Sequence, residues 1–399
     1  MQNLISVSEA EGIIRQHLSA AAVEIIPLAT AQGRYLRKDI LADRPLPPFD
    51  RVMMDGIAIA HASLASGKTS FKISGTQAAG TPALSLEDPN SCIEVMTGCT
   101  LPQGCDCVIP VEQIDRSDIA VTLHPNAKPQ IGQHIHPAGS DTAAGEVLLK
   151  SGLQLGAAEL TIAASVGAVE LQVSALPRIL IITTGDEVVA PEDTPLPHQI
   201  RRSHATALAG LITGMHLGIV ENQHVSDDPQ ALRQIVSDAL MHYDVLIMTG
   251  GISRGKYDYV APVLTELLGK PHFHGIAQRP GKPMAFWKNP NSPLVFAQPG
   301  NPVSVMACTA RYVLPALEEI LSNSPAPDTS LPATGSFHCP AHFTGLVPCQ
   351  LKNGRLHLQT PSNSGNFLAL AGTDGIAQLN GELAGKELLN EPASFYPWS

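Results

Sequence analysis

Along residues 6–24, Val7, Ala10, Ile13, Ile14, Leu18 and Ala21 recur at helical spacing behind Ser6 or Ser8, either of which can cap a helix start. This predicts one amphipathic helix. From about residue 25 to 175 the pattern changes to short apolar runs cut by Pro and Gly, among them Phe71-Lys72-Ile73, Cys92-Ile93-Glu94-Val95-Met96 and Cys107-Val108-Ile109-Pro110-Val111. Such runs predict strands and turns, with one helical interlude around Ala157 to Ser165. Residues 178–322 alternate instead. Arg178–Ile182 and Asp244–Met248 read as buried strands, Gly218–Val220 and Leu294–Phe296 as further strands, and Ala205–Met215, Pro229–Met241 and Val303–Leu321 as helices. That rhythm predicts a parallel sheet covered on both faces. After the Pro-rich link Ser324-Pro325-Ala326-Pro327, the tail returns to short strands with Gly turns, as in a small β-domain.

Composition narrows the function classes. The 399 residues exceed one ordinary core and imply two to four domains. A net charge of −11 and an aromatic content of 4% offer neither a basic stripe for duplex nucleic acid nor a base-stacking platform. No apolar run reaches the roughly 18 residues of a membrane span, and the N-terminus lacks a basic region followed by an apolar one. The expectation is a cytoplasmic protein with neither nucleic acid nor membrane as partner. Seven cysteines form no Cys-x-x-Cys pair. Cys105-Asp106-Cys107 has the donors for a soft metal, but it reads better as two small apolar residues entering a strand, because no second pair completes a site. His134-Ile135-His136 and His272-Phe273-His274 each place two imidazoles on one strand face, and read mainly as surface or satisfied histidines.

Ligands of open parallel sheets bind at the carboxyl ends of the strands. Three loops at such ends are chemically loaded: Thr183-Thr184-Gly185-Asp186-Glu187, the segment Thr249-Gly250-Gly251-Ile252-Ser253 running on to Asp258, and Gln298-Pro299-Gly300-Asn301-Pro302-Val303-Ser304. Their glycines let backbone N–H groups approach an anion, and a helix start after Asn301 adds partial positive charge. Arg279-Pro280-Gly281-Lys282-Pro283 sets two cations on a stiff turn, as a polyanion would require. Glu187, Asp227 and Asp258 belong to the same rim. Carboxylates gathered beside a phosphate site call for a bridging divalent cation, and hard oxygen donors suit Mg²⁺. Taken singly, each of these pieces also reads as an ordinary turn or cap. A second cluster surrounds Pro48-Phe49-Asp50-Arg51-Val52-Met53-Met54-Asp55-Gly56, where an acid is fixed at a Gly turn. Met96-Thr97-Gly98 and Gly139-Ser140-Asp141 are similar turns.

In this order, and together with Thr184-Gly185-Asp186-Glu187, Asp227-Asp228-Pro229, Gly250-Gly251-Ile252-Ser253, Pro280-Gly281-Lys282-Pro283 and Pro299-Gly300-Asn301-Pro302-Val303-Ser304, these motifs resemble the molybdopterin molybdenumtransferase family, the bacterial MoeA proteins and the E domain of gephyrin. The resemblance spans essentially the whole chain. It implies an α/β multidomain fold: a central parallel-sheet, MogA-like molybdopterin-binding domain (1–24 and 176–323), a linking mixed domain (25–44 and 142–175), a β-rich domain carrying Met-Asp-Gly (45–141) and a C-terminal β-barrel-like domain (326–399). It further implies that adenylylated molybdopterin and molybdate give molybdenum cofactor and AMP, with Mg²⁺, in a homodimer whose site is shared between subunits. The adenylyltransferase that supplies the substrate is a further partner on the same ground. By position, Asp55, Glu187, Asp227 and Asp258 would be the metal and catalytic acids, joined in catalysis by Lys282. Arg279 and Lys282 would bind phosphate or molybdate, and Ser253 and Ser364 would contact oxyanions. Thr97, His136, Asp141, Gly250, Gly251, Pro299, Gly300, Asn301 and Ser304 complete the implied substrate-binding set.

Several positions depart from the family pattern. Arg51-Val52-Met53 stands where Asn-Ser-Ala is usual, and Arg202-Ser203-His204 where Asp-Ser/Thr-Asn is usual. His136 replaces an Arg, Ser140 a Glu and Gly275 a Lys. Either Arg51, Arg201 and Arg202 take over phosphate binding, or the site is retuned. The alternatives to turnover are a non-catalytic molybdopterin-binding scaffold and a molybdopterin adenylyltransferase; the latter is disfavoured because no separate adenylylating domain is appended.

Overall fold

The computed structural model describes residues 4–253, 258–325 and 328–398 and divides the chain into two compact units. Unit one comprises residues 1–38, 151–157 and 170–399, and unit two 39–150 and 158–169.

Unit one is built on a six-stranded sheet. Its spatial order is Ile219–Val225, Arg178–Thr184, Val245–Thr249, Leu294–Gln298, Ala285–Trp287 and Phe273–His274. The first four strands run parallel, as the βαβ rhythm predicts, while Ala285–Trp287 pairs antiparallel to the fourth and Phe273–His274 pairs antiparallel to it in turn. Strand alternation assigns the two faces. Ile179, Ile181, Val245 and Ile247 enter one core with the helices Val7–Gln16, His204–Gly214 and Leu314–Ser322. Leu180, Ile182, Leu246 and Met248 enter the other with Pro229–His242 and Val260–Leu268.

The predicted 6–24 helix stops at Gln16. Its start is fixed by a capping box: the Ser6 amide donates to Glu9 Oε2 at 2.7 Å and the Glu9 amide to Ser6 Oγ at 3.1 Å. Beyond His17 the backbone is drawn into tertiary hydrogen bonds, with Ala21 N donating to Ile320 O and Ala22 O accepting from Ala175 N. The chain then pairs as the antiparallel ladder Val23–Pro27 with Glu170–Ser174. Leu18 and Ala21 still pack on the core, so the helical spacing outlasts the helix. The predicted 303–321 helix is also interrupted. Pro302–Cys308 opens into a π-helical turn, Thr309–Val313, before Leu314–Ser322. Pro315 has no N–H and crowds the carbonyl four residues back, and the widened turn accommodates both effects.

The tail closes a five-stranded barrel in the order Thr344–Lys352, Arg355–Leu358, Ser330–Gly335, Leu388–Pro397, Gly375–Asn380 and back to the first. Gln278–Arg279 adds a parallel strand to this barrel, Gln278 opposite Thr344. The sheet domain's loop is thereby stitched to the tail within one unit. Residues 326 and 327 of the Pro-rich link lie outside the described residues.

Unit two is a six-stranded β-sheet ordered Cys107–Pro110, Gly56–Ile59, Ser91–Val95, Ser70–Gln77, Ala120–Leu123 and Ile114–Arg116, with a small core on each face. The Ala157–Ser165 helix forms as predicted. Cys105 and Cys107 are buried, and burial pushes their thiols up to about 12 and about 11, which suits apolar packing. Among the described residues no helix is long and apolar enough to cross a membrane.

Candidate active site

The carboxyl ends of the parallel strands open into a cavity of about 860 Å³, which the barrel closes from the opposite side. All three predicted loops line it, through Thr184, Gly185 and Glu187; Gly250, Gly251, Ser253 and Asp258; and Pro299, Gly300, Asn301 and Ser304. Asp227, Arg279, Lys282 and Ser364 line it as well. Arg254, Gly255, Lys256 and Tyr257 of the second loop lie outside the described residues.

The acids occupy one wall. Asp186 Oδ1 accepts from the Asp227 amide at 3.0 Å, tying the first loop to the end of the neighbouring strand. Burial, and then the charges of Asp186, Glu187 and Asp258, raise the Asp227 carboxyl above its usual range. Asp228 is a cap, accepting from Gln230 N at 2.8 Å ahead of Pro229. The cations Arg279 and Lys282 line the same cavity. Lys282 Nζ sits 6.0 Å above the Phe343 ring, and neither Lys282 nor Arg279 has a carboxylate within salt-bridge distance among the described residues.

Loop packing is tight where an anion would approach. Gly250 has φ +92°, and a Cβ there would lie 2.8 Å from Thr184 Oγ1, while a Cβ on Gly300 would lie 3.4 Å from Gly250 Cα. Glycine is required at 250, where the second loop meets the first, whereas a Cβ at 300 would make ordinary contact. Thr184 Oγ1 is itself buried and has no hydrogen-bond partner among the described residues. Asn301 begins the 302–308 helix but does not cap it with its side chain; Nδ2 donates instead to Ser364 Oγ at 2.9 Å, and the Val303 amide donates to Ser364 O at 3.1 Å. Ser364 is thus fixed to the third loop. His204 lies beside the cavity with Nδ1 3.3 Å from Thr249 Oγ1, and burial favours its neutral form. Arg201 and Arg202 line the same wall, and Gly275 lies outside the lining.

These donors suit Mg²⁺. Glu187, Asp227 and Asp258 offer hard carboxylate oxygens, and the orphaned Thr184 hydroxyl lacks a partner that a hydrated ion or a phosphate supplies. Among the described residues no three acidic, His or Cys side chains are placed to cage a metal on their own. Mg²⁺ typically binds through one or two carboxylates completed by water and phosphate.

Asp55, Thr97, His136 and Asp141 belong to unit two and build a second cluster. Asp55 Oδ1 accepts from the Thr97 amide at 2.6 Å and from its hydroxyl at 2.7 Å, and these bonds hold the carboxyl below its usual range. Arg51 and His136 are cross-strand partners, with Arg51 Nη2 3.2 Å from His136 Nδ1 and His136 Nε2 2.8 Å from Asp141 Oδ1. The cavity wall contributed by Phe337, His338, Phe343 and residues 360–363 is absent from the sequence-based set. Its available signal was the polar turn Thr360-Pro361-Ser362-Asn363 directly before Ser364.

Family models match in two blocks: the MoeA N-terminal region (domain I and II) over residues 5–167, and a probable molybdopterin binding domain over 180–319. A molybdopterin molybdenumtransferase of Synechocystis sp. is 37% identical, covering 99% of this chain and 100% of its own length. Molybdopterin molybdenumtransferase 2 of Mycobacterium tuberculosis is 32% identical, covering 78% of each chain. The crystal structure of a molybdopterin biosynthesis moeA protein from Pyrococcus horikoshii superposes with a TM-score of 0.81 at 23% identity, covering 99% of this chain and 100% of that one, and so shares its fold. With two matching domain models and such identity along its full length, the chain belongs to the molybdopterin molybdenumtransferase family.

Proposed function

We propose that this protein completes molybdenum cofactor synthesis: it inserts molybdate into adenylylated molybdopterin and releases AMP with the finished cofactor. The observation that carries this reading is a single cavity lined both by Arg279 and Lys282, which have no carboxylate partner among the described residues, and by Glu187, Asp227 and Asp258, with the glycine-bearing loops between strands and helices. A phosphoanhydride joined to a pterin needs both halves. Arg279, Lys282 and the backbone donors around Gly250 and Gly300 hold phosphate or molybdate oxygens, and Ser253, Ser304 and Ser364 add hydroxyl contacts. Glu187, Asp227 and Asp258 would hold Mg²⁺, which supplies charge neutralisation at the scissile phosphate. Lys282 stabilises the charge that develops as the anhydride opens. The protein acts as a homodimer in this reading. The Asp55 turn, with Thr97, His136 and Asp141, comes from the second copy to orient the substrate from the other side.

The test is AMP release from adenylylated molybdopterin with molybdate and Mg²⁺, with tungstate in a parallel reaction. Molybdate-dependent AMP release is expected, and Asp258→Ala or Lys282→Ala should lower it by about 100-fold or more. Tight binding of the adenylylated pterin without AMP release at saturating molybdate and Mg²⁺ would sink the catalytic reading.

A further inference from the structure

Two fully buried glutamines, Gln278 and Gln298, stand at the bases of two cavity loops, and both are held by the same π-helical turn. Gln298 exchanges its amide with the Thr309 hydroxyl, at 3.1 Å from Nε2 and 3.2 Å from Oε1. Its backbone carbonyl accepts from Gly250 N at 3.1 Å, so it is also tied to the Gly-Gly loop. Gln278 Oε1 accepts from the Tyr312 hydroxyl at 2.5 Å, and Nε2 donates to Gly281 O at 3.3 Å, with Cys308 Sγ 3.5 Å away. The amide orientation is dictated by its neighbours. Gly281 O can only accept, which turns Nε2 toward it and leaves Oε1 for the phenol. Burial drives the Tyr312 phenol well above its usual pKa, so it remains a donor.

The turn controlled by Gln278 is the one that carries Arg279 and Lys282. It has no slack: Gly281 has φ +87°, and a Cβ there would lie 2.4 Å from Cys308 Sγ and 2.7 Å from Gln278 Nε2. Ile276 N donates to Lys282 O at 2.9 Å and closes the turn at its neck. Among the described residues neither cation is braced by a carboxylate, and the backbone of the turn is what fixes where they begin.

We infer that Tyr312 and Gln278 are positioning residues that set the Arg279–Lys282 turn for anion binding, with the π-helical turn as their rigid base. Tyr312 lies outside the cavity lining, and Gln278, although part of that lining, is fully buried with its amide engaged by its neighbours. They act by holding Gly281 O from the buried side, beside the Met284 amide that also donates to it at 3.2 Å, and hence the two Cα positions from which the cations reach the cavity. This rests on the assignment of Arg279 and Lys282 as oxyanion ligands made above.

The test compares the unsubstituted protein with Tyr312→Phe and with the double variant Tyr312→Phe/Gln278→Met, using molybdate alone as the calorimetric probe and thermal unfolding alongside. Tyr312→Phe leaves Gln278 Oε1 buried without a donor and should lower Tm. It should also raise the molybdate Kd by about ten-fold by releasing the turn. The double variant removes the orphaned amide and should recover most of the Tm, while its Kd remains raised because Gly281 O then lacks the Gln278 amide and keeps only the Met284 N–H beside the weak Cys308 thiol contact. Recovery of the Kd together with the Tm would make the relay merely structural and overturn the inference, as would an unchanged Kd in Tyr312→Phe. Failure of the unsubstituted protein to bind molybdate would instead remove the functional reading itself, and this inference with it.

Discussion

Asp227 carries the clearest conflict between stability and chemistry. Its carboxyl is raised by burial and by Asp186, Glu187 and Asp258, so its charge costs stability at every pH above its folded pKa, and that cost disappears as the pH falls through it. Asp227→Asn should therefore raise Tm by roughly 1 °C near neutral pH, with the gain vanishing in strong acid, while AMP release falls. Thermal scans across pH decide this; a lower Tm at pH 7 would mean the side chain is held by favourable contacts instead. Asp55 has the opposite sign. The Thr97 amide and hydroxyl hold its carboxyl low, so it stays ionised further into acid. Thr97→Val keeps the amide bond and loses the hydroxyl, and should move the acid limb of the kcat/KM profile to higher pH. A limb that does not move would place the controlling acid elsewhere.

Element boundaries record where tertiary bonding overrides local pattern. The residues of the 6–24 stretch are spaced for a helix throughout, and only the pairing of Val23–Pro27 with Glu170–Ser174, more than 140 residues away in sequence, decides that the helix stops at Gln16. The π-helical turn had a visible cause in Pro315, but its consequence lay in the partners it presents: Thr309 to Gln298, Tyr312 to Gln278 and Arg311 to the barrel. Arg311 is buried, donating to Gln378 Oε1 at 2.6 Å and to Glu11 Oε2 at 2.5 Å, with its guanidinium 4.6 Å from the Tyr396 ring centroid. One side chain thus joins the N-terminal helix, the π-helical turn and the barrel. Arg311→Ala leaves Gln378 without its donor and Glu11 with Arg15 alone, and should cost about 3 kcal/mol, read from denaturant unfolding. A loss below about 1 kcal/mol would show that solvent satisfies both partners as well as the guanidinium does.

At the scale of the whole molecule, the loops of the site were legible because glycine, proline and charge concentrate at the ends of apolar strands, where open sheets bind ligands. The opposing wall was not. Residues 337–364 reach the cavity because Gln278–Arg279 pairs with the barrel strand Thr344–Lys352 and because Ser364 is fastened to Asn301, and neither contact leaves a periodic trace in the sequence. The same illegibility applies to Asp55 and Asp258, which lie in different compact units. If the functional site draws Asp55 from a second copy, two inactive variants should repair one another. Asp55→Ala and Asp258→Ala chains, unfolded and refolded together in equal amounts, would form heterodimers in about half of the population, each with one site carrying both lesions and one carrying neither. AMP release should then recover to about a quarter of the unsubstituted rate, from near zero for either variant alone. No recovery, in a preparation shown to contain heterodimers by differential tagging, would mean that each chain completes its own site.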